Sequence, residues 1–457
     1  MDLRRRATLI LGGALLLRLL RALCRWDEWA LHYSGYHQGT EQALLSLDLR
    51  GALTIWSGLH PPLYSILHSL GSIIWPAPIS WLVFSALCSA GAVLAVLKIR
   101  DASVALLAGL LLATDPVQLH YAAEVNNYPL MVATIGLAWW AHSHDRWAIL
   151  AVSGVLAAWT HVLGGLAVGL LALTGPHRWR VLGLMAIGSL PLLPTAVTLL
   201  SDQGSRAQPP LLLGETFADA LDRFKGRFLL CLPALCIGMW RKPHLALVWG
   251  GTAAAWAGLV LAGLAAPHQL SYALALGIPA AVLIAGGATN SWIRAAVLLA
   301  CGLSVVGMAG NDLRRLRDLA QGGDGAVAAA QVIEQSAPGD AIVLVRGLDE
   351  QDDDKRHTSA VLWRFHPWEA MPAVPSTDLA PHAAGNPRTW RGRTLYTFDQ
   401  PRPIIAQLPH RRVFTVAYGA AAQTLDIPTH ASQGAWHMRG EAAWRGPIQD
   451  PGSGAPD

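Results

Sequence analysis

Charged residues are scarce in this sequence, and their scarcity excludes an ordinary soluble protein. Of 457 residues, 14% are charged and 53% are hydrophobic, with a mean hydropathy of +0.36. About a quarter of the residues are charged in a typical soluble domain. The net charge of +4 is small for this length, and no basic run exceeds Arg4 to Arg6. Nucleic acid is therefore not expected as a partner.

Cysteines and several familiar site motifs are also lacking. The five cysteines lie in or beside apolar runs, so the C-terminal region has neither a disulfide framework nor a thiolate metal site. The sequence contains no P-loop, no Gly-rich dinucleotide fingerprint and no His-Glu-x-x-His string. These absences argue against a nucleotide site and against a zinc hydrolase of that type.

Long apolar runs are abundant from Ala7 to Gly310, and most approach the ~20 residues that cross a bilayer. The stretch Leu63 to Trp75 is shorter and flanked by prolines, which predicts a helix in or at the outer interface. About eleven transmembrane helices are predicted, at residues 7–23, 79–97, 103–117, 128–142, 147–160, 162–175, 180–200, 228–240, 245–266, 270–289 and 293–309. The sequence thus predicts an all-α polytopic membrane domain over residues 1–309, with a first outer loop at 25–78.

The distribution of basic residues predicts the orientation of this domain in the cytoplasmic (inner) membrane. With Arg4 to Arg6 inside, each predicted inner connection carries Lys or Arg, as the positive-inside rule requires. These residues are Lys98, Arg100, Arg146, Arg178, Arg180, Arg241, Lys242 and Arg294. An odd number of spans places residues 310–457 outside the cytoplasm.

The region 310–457 has the pattern of a small α/β domain. A helix is predicted over Ala326 to Gln335, followed by a turn at Pro338 to Asp340. Strands are predicted at Ala341 to Val345, Arg393 to Phe398 and Val413 to Ala417. Loops are expected at Asp349 to Arg356 and at Pro367 to Pro387, and the last dozen residues are expected to fray.

Polar residues of the predicted outer side fall in three places that are distant in sequence. One is the first outer loop, the second is the loop from His120 to Tyr128, and the third is His161 at a helix end. Ionisable groups in a membrane protein usually face a cavity or one another, because isolated charges in hydrocarbon are costly. These three places are therefore expected to converge at an outward-facing cavity.

The string His60-Pro61-Pro62-Leu63-Tyr64 is the most specific motif of the sequence. It resembles a segment of the first outer loop in the C-type glycosyltransferase superfamily, in the branch that includes protein O-mannosyltransferases and bacterial aminoarabinose transferases. Four further passages fit that family's order and spacing: Thr40-Glu41, Tyr121 to Tyr128, Thr160-His161, and Ser271-Tyr272 with Pro279.

The resemblance implies the fold of that superfamily and an inverting sugar transfer. The donor would be a sugar linked to polyprenyl phosphate in the outer leaflet, and the acceptor a hydroxyl or an amine of unknown class. A carboxylate would act as general base, while cationic or hydrogen-bonding groups, and in some members a divalent cation, would neutralise the departing phosphate. Membrane lipids are the remaining expected partners.

Four charges of the family pattern are missing, at Thr40, Gly58, Asn126 and Ser271. Because Thr40 cannot act as a base, the resemblance leaves Glu41, nineteen residues before His60, as the predicted base. Asp27 and Glu28 are the alternative catalytic residues. The predicted substrate-binding residues are His60, Tyr64, Glu124, Tyr128, His161, Arg223, Lys225, Arg227 and Tyr272.

Each of these residues also has a structural interpretation. Glu41 can lie on the exposed face of a surface helix, Glu124 can cap or pack a helix, and His161 can be a helix-end histidine. The group Arg223, Lys225 and Arg227 can anchor the chain to lipid head groups. Two further functions stay open: a non-catalytic relative that binds a lipid-linked sugar or a partner, and a transporter of a lipid precursor.

Overall fold

The fold is known from a computed structural model of the chain. It describes residues 2–24, 43–44, 46–54, 61–74, 78–193, 227, 229–261, 270–321, 324–346, 388–390, 392–398, 412–418, 436–439 and 442–449. Contacts divide the chain into two compact units. The first, here the helical unit, comprises residues 1–23, 36–76 and 81–310, and the second, here the tail unit, comprises residues 24–35, 77–80 and 311–457.

Helices account for nearly all described residues before β1. They are α1 (Leu3–Cys24), α2 (Leu49–Thr54), α3 (Leu63–Ile74), α4 (Pro78–Leu97), α5 (Ala102–Ala113), α6 (Pro116–Tyr121), α7 (Tyr128–Ser143), α8 (Trp147–Thr160), α9 (Val162–Leu173), α10 (Arg178–Ser189), α11 (Leu229–Arg241), α12 (Pro243–Leu261), α13 (Leu274–Gly287), α14 (Ser291–Gln321) and α15 (Asp324–Gln335). Short 3₁₀ turns occur at Leu190–Leu192 and Leu270–Ala273.

A helix occupies each of the predicted spans, over all or most of the residues that the structure describes there. The predicted interfacial helix is α3. Among the described helices, only the segment Ser291–Arg314 of α14 is both long enough and apolar enough to cross a membrane. Shorter apolar helices are α5, α8, α9, α11, α13 and the part of α4 from Trp81 to Leu97. The number of crossings therefore stays a prediction.

Small residues bring helices of the helical unit into close contact. A Cβ atom at Gly287 would overlap the carbonyl oxygen of Ala234, and one at Gly238 would overlap that of Leu283. The backbones of α11 and α13 therefore touch, as is common where packing between membrane helices lacks a hydrophobic driving force.

The tail unit contains a six-stranded mixed sheet. Its strands are β1 (Ala341–Arg346), β2 (Arg388–Trp390), β3 (Arg393–Phe398), β4 (Arg412–Tyr418), β5 (Trp436–Arg439) and β6 (Ala442–Gln449), in the order β2-β3-β1-β4-β6-β5. The central strand β1 is parallel to β3 and to β4, whereas β2, β6 and β5 pair antiparallel with their neighbours. Helix α15 contacts β4 and β6.

The sequence pattern predicted the start of the tail unit well and its end poorly. The helix, the turn and three strands occur where expected, and the turn is fixed because the amide of Gly339, at φ +93°, donates to Gly392 O at 2.7 Å. The expected fraying of the last dozen residues is wrong for residues 446–449, which belong to strand β6 beside β4. The predicted loops 349–356 and 367–387 lie outside the described residues.

Candidate functional site

The carbonyl groups at the end of α5 are bound by an arginine from the first helix. Arg18 is completely buried; its Nη2 donates to Leu112 O at 3.1 Å and its Nη1 to Ala113 O at 3.2 Å. Its Nε donates to Ser89 Oγ at 2.7 Å. Because the last carbonyls of a helix lack partners within the helix, Arg18 satisfies two of them and also compensates the negative end of the helix dipole.

Arg227 binds the neighbouring carbonyls of the same helix end. Its guanidinium donates to Leu111 O and to Thr114 O, both at 2.7 Å, and to Ser304 Oγ at 3.0 Å. Its Nη2 also lies 3.8 Å from Asp115 Oδ2. The sequence suggested Arg227 as a phosphate-binding residue, and the structure places its guanidinium on these protein acceptors.

The segment that follows this helix end carries the candidate site. Asp115 caps α6, because its Oδ1 accepts from Val117 N at 2.9 Å and from Gln118 N at 3.0 Å, and Pro116 occupies the first turn. A proline there removes a donor that would have no partner. Arg18 and Arg227 therefore fix the corner between α5 and α6. This corner in turn fixes the position at which the segment from residue 118 onward begins.

Glu124 is the buried acidic residue of this segment. Its Oε1 lies 3.2 Å from His120 Nε2, and its Oε2 accepts from Asn126 Nδ2 at 2.9 Å. The side chain of Glu124 is 6% exposed and that of His120 is 43% exposed. Asn126 Oδ1 in turn accepts from Tyr128 N at 3.0 Å. The carboxylate is therefore fixed inside the protein, while its histidine partner reaches solvent.

His161 is fully buried between two helices. It follows the last residue of α8 and caps α9, since its Nδ1 accepts from Leu163 N at 3.1 Å. A ring nitrogen that accepts carries no proton, so in a neutral ring the proton is on Nε2. Beside it, Asn127 Nδ2 donates to Thr160 O at 2.7 Å. The loop before α7 is thereby tied to the end of α8.

Three aromatic residues connect these places. The ring of Tyr128 lies 5.2 Å from Tyr121, 5.7 Å from His161 and 6.4 Å from Tyr272. The rings of His161 and Tyr272 are 5.3 Å apart. Such edge and tilted contacts are favourable and rigid. The structure thus brings together Tyr128, His161 and Tyr272, which lie far apart in sequence, near Glu124.

Tyr64 belongs to a second aromatic cluster, formed by α3 and α4. It is 1% exposed, and its ring lies 6.2 Å from His68 and 6.3 Å from both Trp81 and Phe84. The other predicted site residues, Asp27, Glu28, Glu41, His60, Arg223 and Lys225, lie outside the described residues. Their positions stay predictions.

Two polar residues of this region were not singled out in the sequence. His120 could have been found from its spacing, because residues four apart share one side of a helical turn and Glu124 follows it by four. Gln118 carries no such signal. It is 2% exposed, and neither atom of its amide has a hydrogen-bond partner among the described residues. It lines a narrow crevice with Ser89, Tyr121, Pro129, Val132 and Leu274.

The described residues contain no group of three His, Cys, Asp or Glu side chains that could hold a metal ion. Within that part of the chain, His120 and Glu124 supply one nitrogen and one carboxylate. A hard divalent cation needs more oxygen ligands than this pair offers. Asp27, Glu28 and Glu41 of the first outer loop lie outside the described residues.

Comparison with known proteins gives a match in structure but not in sequence. No family model matches the chain, and no curated protein matches it. A crystal structure of ArnT from Cupriavidus metallidurans in the apo state matches 96% of this chain and 97% of its own, with a TM-score of 0.50 and 14% identity. A crystal structure of the same protein bound to undecaprenyl phosphate matches 98% of this chain and 99% of its own, with a TM-score of 0.48 and 14% identity.

The match to the apo structure extends over both units of the chain, and it agrees with the resemblance that the motifs indicated in the sequence. The likeness concerns the architecture alone. The chain therefore has a fold similar to that of ArnT.

Proposed function

We propose that the protein transfers a sugar from a polyprenyl-phosphate donor to an acceptor hydroxyl or amine at the outer face of the cytoplasmic membrane. One observation carries the proposal: the rings of Tyr128, His161 and Tyr272, from three separate segments, meet in one place. Glu124 is linked to this place through Asn126, which donates to Glu124 and accepts from Tyr128 N. These segments hold the passages that resemble the family's outer-loop motifs. The ArnT-like fold over nearly the whole chain supports the same conclusion.

In this proposal, the contacts of Glu124 replace those of one basic residue that the family pattern has and this chain lacks. That position is Asn126, which binds Glu124 Oε2 without adding charge. His120 Nε2 lies 3.2 Å from the other carboxylate oxygen. His120 therefore offers a ring nitrogen where the loop lacks a basic residue, on the side that reaches solvent.

The remaining roles follow the sequence hypothesis. Glu41 is the proposed general base, with Asp27 or Glu28 in its place if the loop alignment is displaced. Since the guanidinium of Arg227 already donates to Leu111 O, Thr114 O and Ser304 Oγ, we assign neutralisation of the departing phosphate mainly to the other candidates. These are His60, His161, Arg223 and Lys225.

A transporter of a lipid precursor is the weaker candidate. Such proteins expose charged groups to a pathway through the membrane. The most deeply buried arginine of α1, Arg18, instead directs its donors to the protein's own carbonyls and to Ser89. A non-catalytic relative differs from the proposed enzyme in activity alone.

The decisive experiment follows the leaving group, because every sugar and acceptor in this scheme releases the same lipid. Purified full-length protein in proteoliposomes receives polyprenyl-phosphate-linked sugars and an envelope extract as acceptor, and mass spectrometry measures the polyprenyl phosphate formed. We expect release by the parent protein. No release with any envelope fraction would contradict the proposal and favour the non-catalytic relative.

Two substitutions locate the chemistry within the site. Glu41→Gln removes a general base while keeping its shape, so it should lower the rate by roughly 10²–10⁴ and leave lipid binding intact. Glu124→Gln should weaken activity less, since the amide oxygen of the new side chain would still accept from Asn126 but the ion pair with His120 would be lost. Full turnover in the Glu41 variant together with loss in Asp27→Asn or Glu28→Gln would move the base to the start of the loop.

A further inference from the structure

A second cavity lies at the end of the helical unit where α7 turns into α8 and α9 turns into α10. It is shallow and half open to solvent. It is lined by Ala141, His142, Asp145, Arg146, Trp147, Leu150, Ala172, Gly175, Pro176, His177, Arg178 and Val181. Helix α8 begins at this cavity and ends at His161, so its fourteen residues separate the two places by about 20 Å at 1.5 Å per residue.

The lining of this cavity is positively charged. Arg146 and Arg178 bring two permanent cations, and His142 and His177 bring two imidazoles. The single acidic residue of the lining, Asp145, lies 3.3 Å from the guanidinium of Arg100, outside the lining. Because Arg100 balances the charge of Asp145, the two arginines of the lining leave a net positive charge for a ligand.

Helix ends of both signs meet at this cavity. Helices α8 and α10 start there, and neither has a side-chain cap hydrogen bond from the preceding Arg146 or His177. Helices α7 and α9 end there, and the negative ends of their dipoles offset the positive ends of α8 and α10. The excess positive charge of the cavity therefore comes from Arg146 and Arg178.

The aromatic residues beside the cavity place it at the depth of lipid head groups. Trp147 is 37% exposed and Trp179 is 72% exposed, and the guanidinium of Arg178 lies 5.7 Å from the ring of Trp179. Tryptophans concentrate at the membrane interface. Farther along the same helices, Val152 and Leu184 expose apolar surface, as side chains facing acyl chains do.

We propose that this cavity binds the phosphate head group of an anionic phospholipid in the cytoplasmic leaflet. Basic pockets between helices on this side of a membrane have the charge and depth that such head groups require. Arg146 and Arg178 would bind the phosphate oxygens with charge-assisted hydrogen bonds, while the exposed tryptophans would contact the glycerol region. The site is separate from that of the proposed sugar donor.

The test measures lipid binding to purified full-length protein in zwitterionic detergent by native mass spectrometry. The probes are phosphatidylglycerol, phosphatidylcholine and inorganic phosphate. The double variant Arg146→Gln/Arg178→Gln is compared with Arg180→Gln/Arg241→Gln, which removes the same charge from two exposed positions outside the cavity. We expect phosphatidylglycerol to bind the parent and the second variant equally, and the first variant at least roughly tenfold more weakly.

Several results would overturn the proposal. Equal binding of phosphatidylcholine would remove the requirement for an anion, and equal loss in both double variants would indicate a diffuse surface attraction instead of a site. Full competition by inorganic phosphate would assign the cavity to a soluble anion. If the glutamine variant folds poorly, Arg146→Lys/Arg178→Lys keeps the charge and should keep the selectivity for phosphatidylglycerol, and loss of that selectivity would also contradict the proposal.

Discussion

Replacing Arg18 by methionine should destabilise the helical unit, although methionine is the more hydrophobic residue. Arg18→Met keeps a long side chain but removes the donors to Leu112 O, Ala113 O and Ser89 Oγ. The two carbonyls belong to the end of α5, and both lose a buried charged donor.

The magnitude follows from the groups left behind. An unsatisfied buried acceptor costs about 1–3 kcal/mol, which gives about 2–6 kcal/mol for two carbonyls. Leu112 O also accepts from Asp115 N at 3.4 Å. Its cost therefore falls in the lower half of the range for one acceptor, about 1–2 kcal/mol, and the two carbonyls together cost about 2–5 kcal/mol. Replacing a buried charge by an apolar side chain returns about 1–4 kcal/mol. At the midpoints of these two ranges, about 3.5 and about 2.5 kcal/mol, the net expected loss is about 1 kcal/mol.

Unfolding by SDS in mixed micelles measures this difference, and Arg4→Met, an exposed position near the start of the same helix, is the matched control. Hydrogen exchange should rise locally at residues 113–118, where Asp115 caps α6. No measurable loss, or exchange that rises uniformly, would show that Arg18 does not hold this corner.

Three further outcomes are expected. Gly287→Leu should abolish the folded helical unit, measured by size-exclusion chromatography in detergent, because a side chain there overlaps the carbonyl of Ala234; normal elution would contradict the contact. Asp101→Ala should cost about 1 kcal/mol, since Asp101 caps α5. Burial raises the pKa of Asp101, but its bonds to Ser103 and Val104 outweigh this and lower it, so its contribution holds above the unfolded pKa and fades as pH falls through the folded value. Alkaline phosphatase fused after Pro338 should be active if the tail unit is extracytoplasmic, and a silent fusion would mean that the span count is wrong by one.

The helices could be predicted because their signal is local. Apolar composition, basic turns and prolines set the limits of the helices to within a few residues, as at α7 and α8. In the tail unit, β1 is mainly an apolar run, and β3 and β4 are rich in β-branched and aromatic residues, which favour strands. Strands β2 and β5 are three and four residues long, and β6 contains Pro447 and charged Arg445, so their pairing depends on neighbours that a single segment does not reveal.

For the candidate site, the sequence could predict which segments come together, but not the contacts between their side chains. The order of the motifs indicated that Tyr128, His161 and Tyr272 belong to one region, and the structure brings them together. The hydrogen bonds of Arg227 could not be predicted, because its acceptors lie 113 and 116 residues away in the chain. The i to i+4 pair of His120 and Glu124 was visible in the sequence, but nothing there showed which member is buried.

The bond from Arg18 to the end of α5 also has a consequence for biosynthesis. Residues 112 and 113 are synthesised after Arg18, so the carbonyls that bind it do not yet exist when the first helix forms. In the predicted topology this helix enters the membrane, where an unpartnered arginine at a helix centre costs about 2.5–3.5 kcal/mol on the translocon scale. We expect this cost to be relieved when α5 arrives, some ninety residues later.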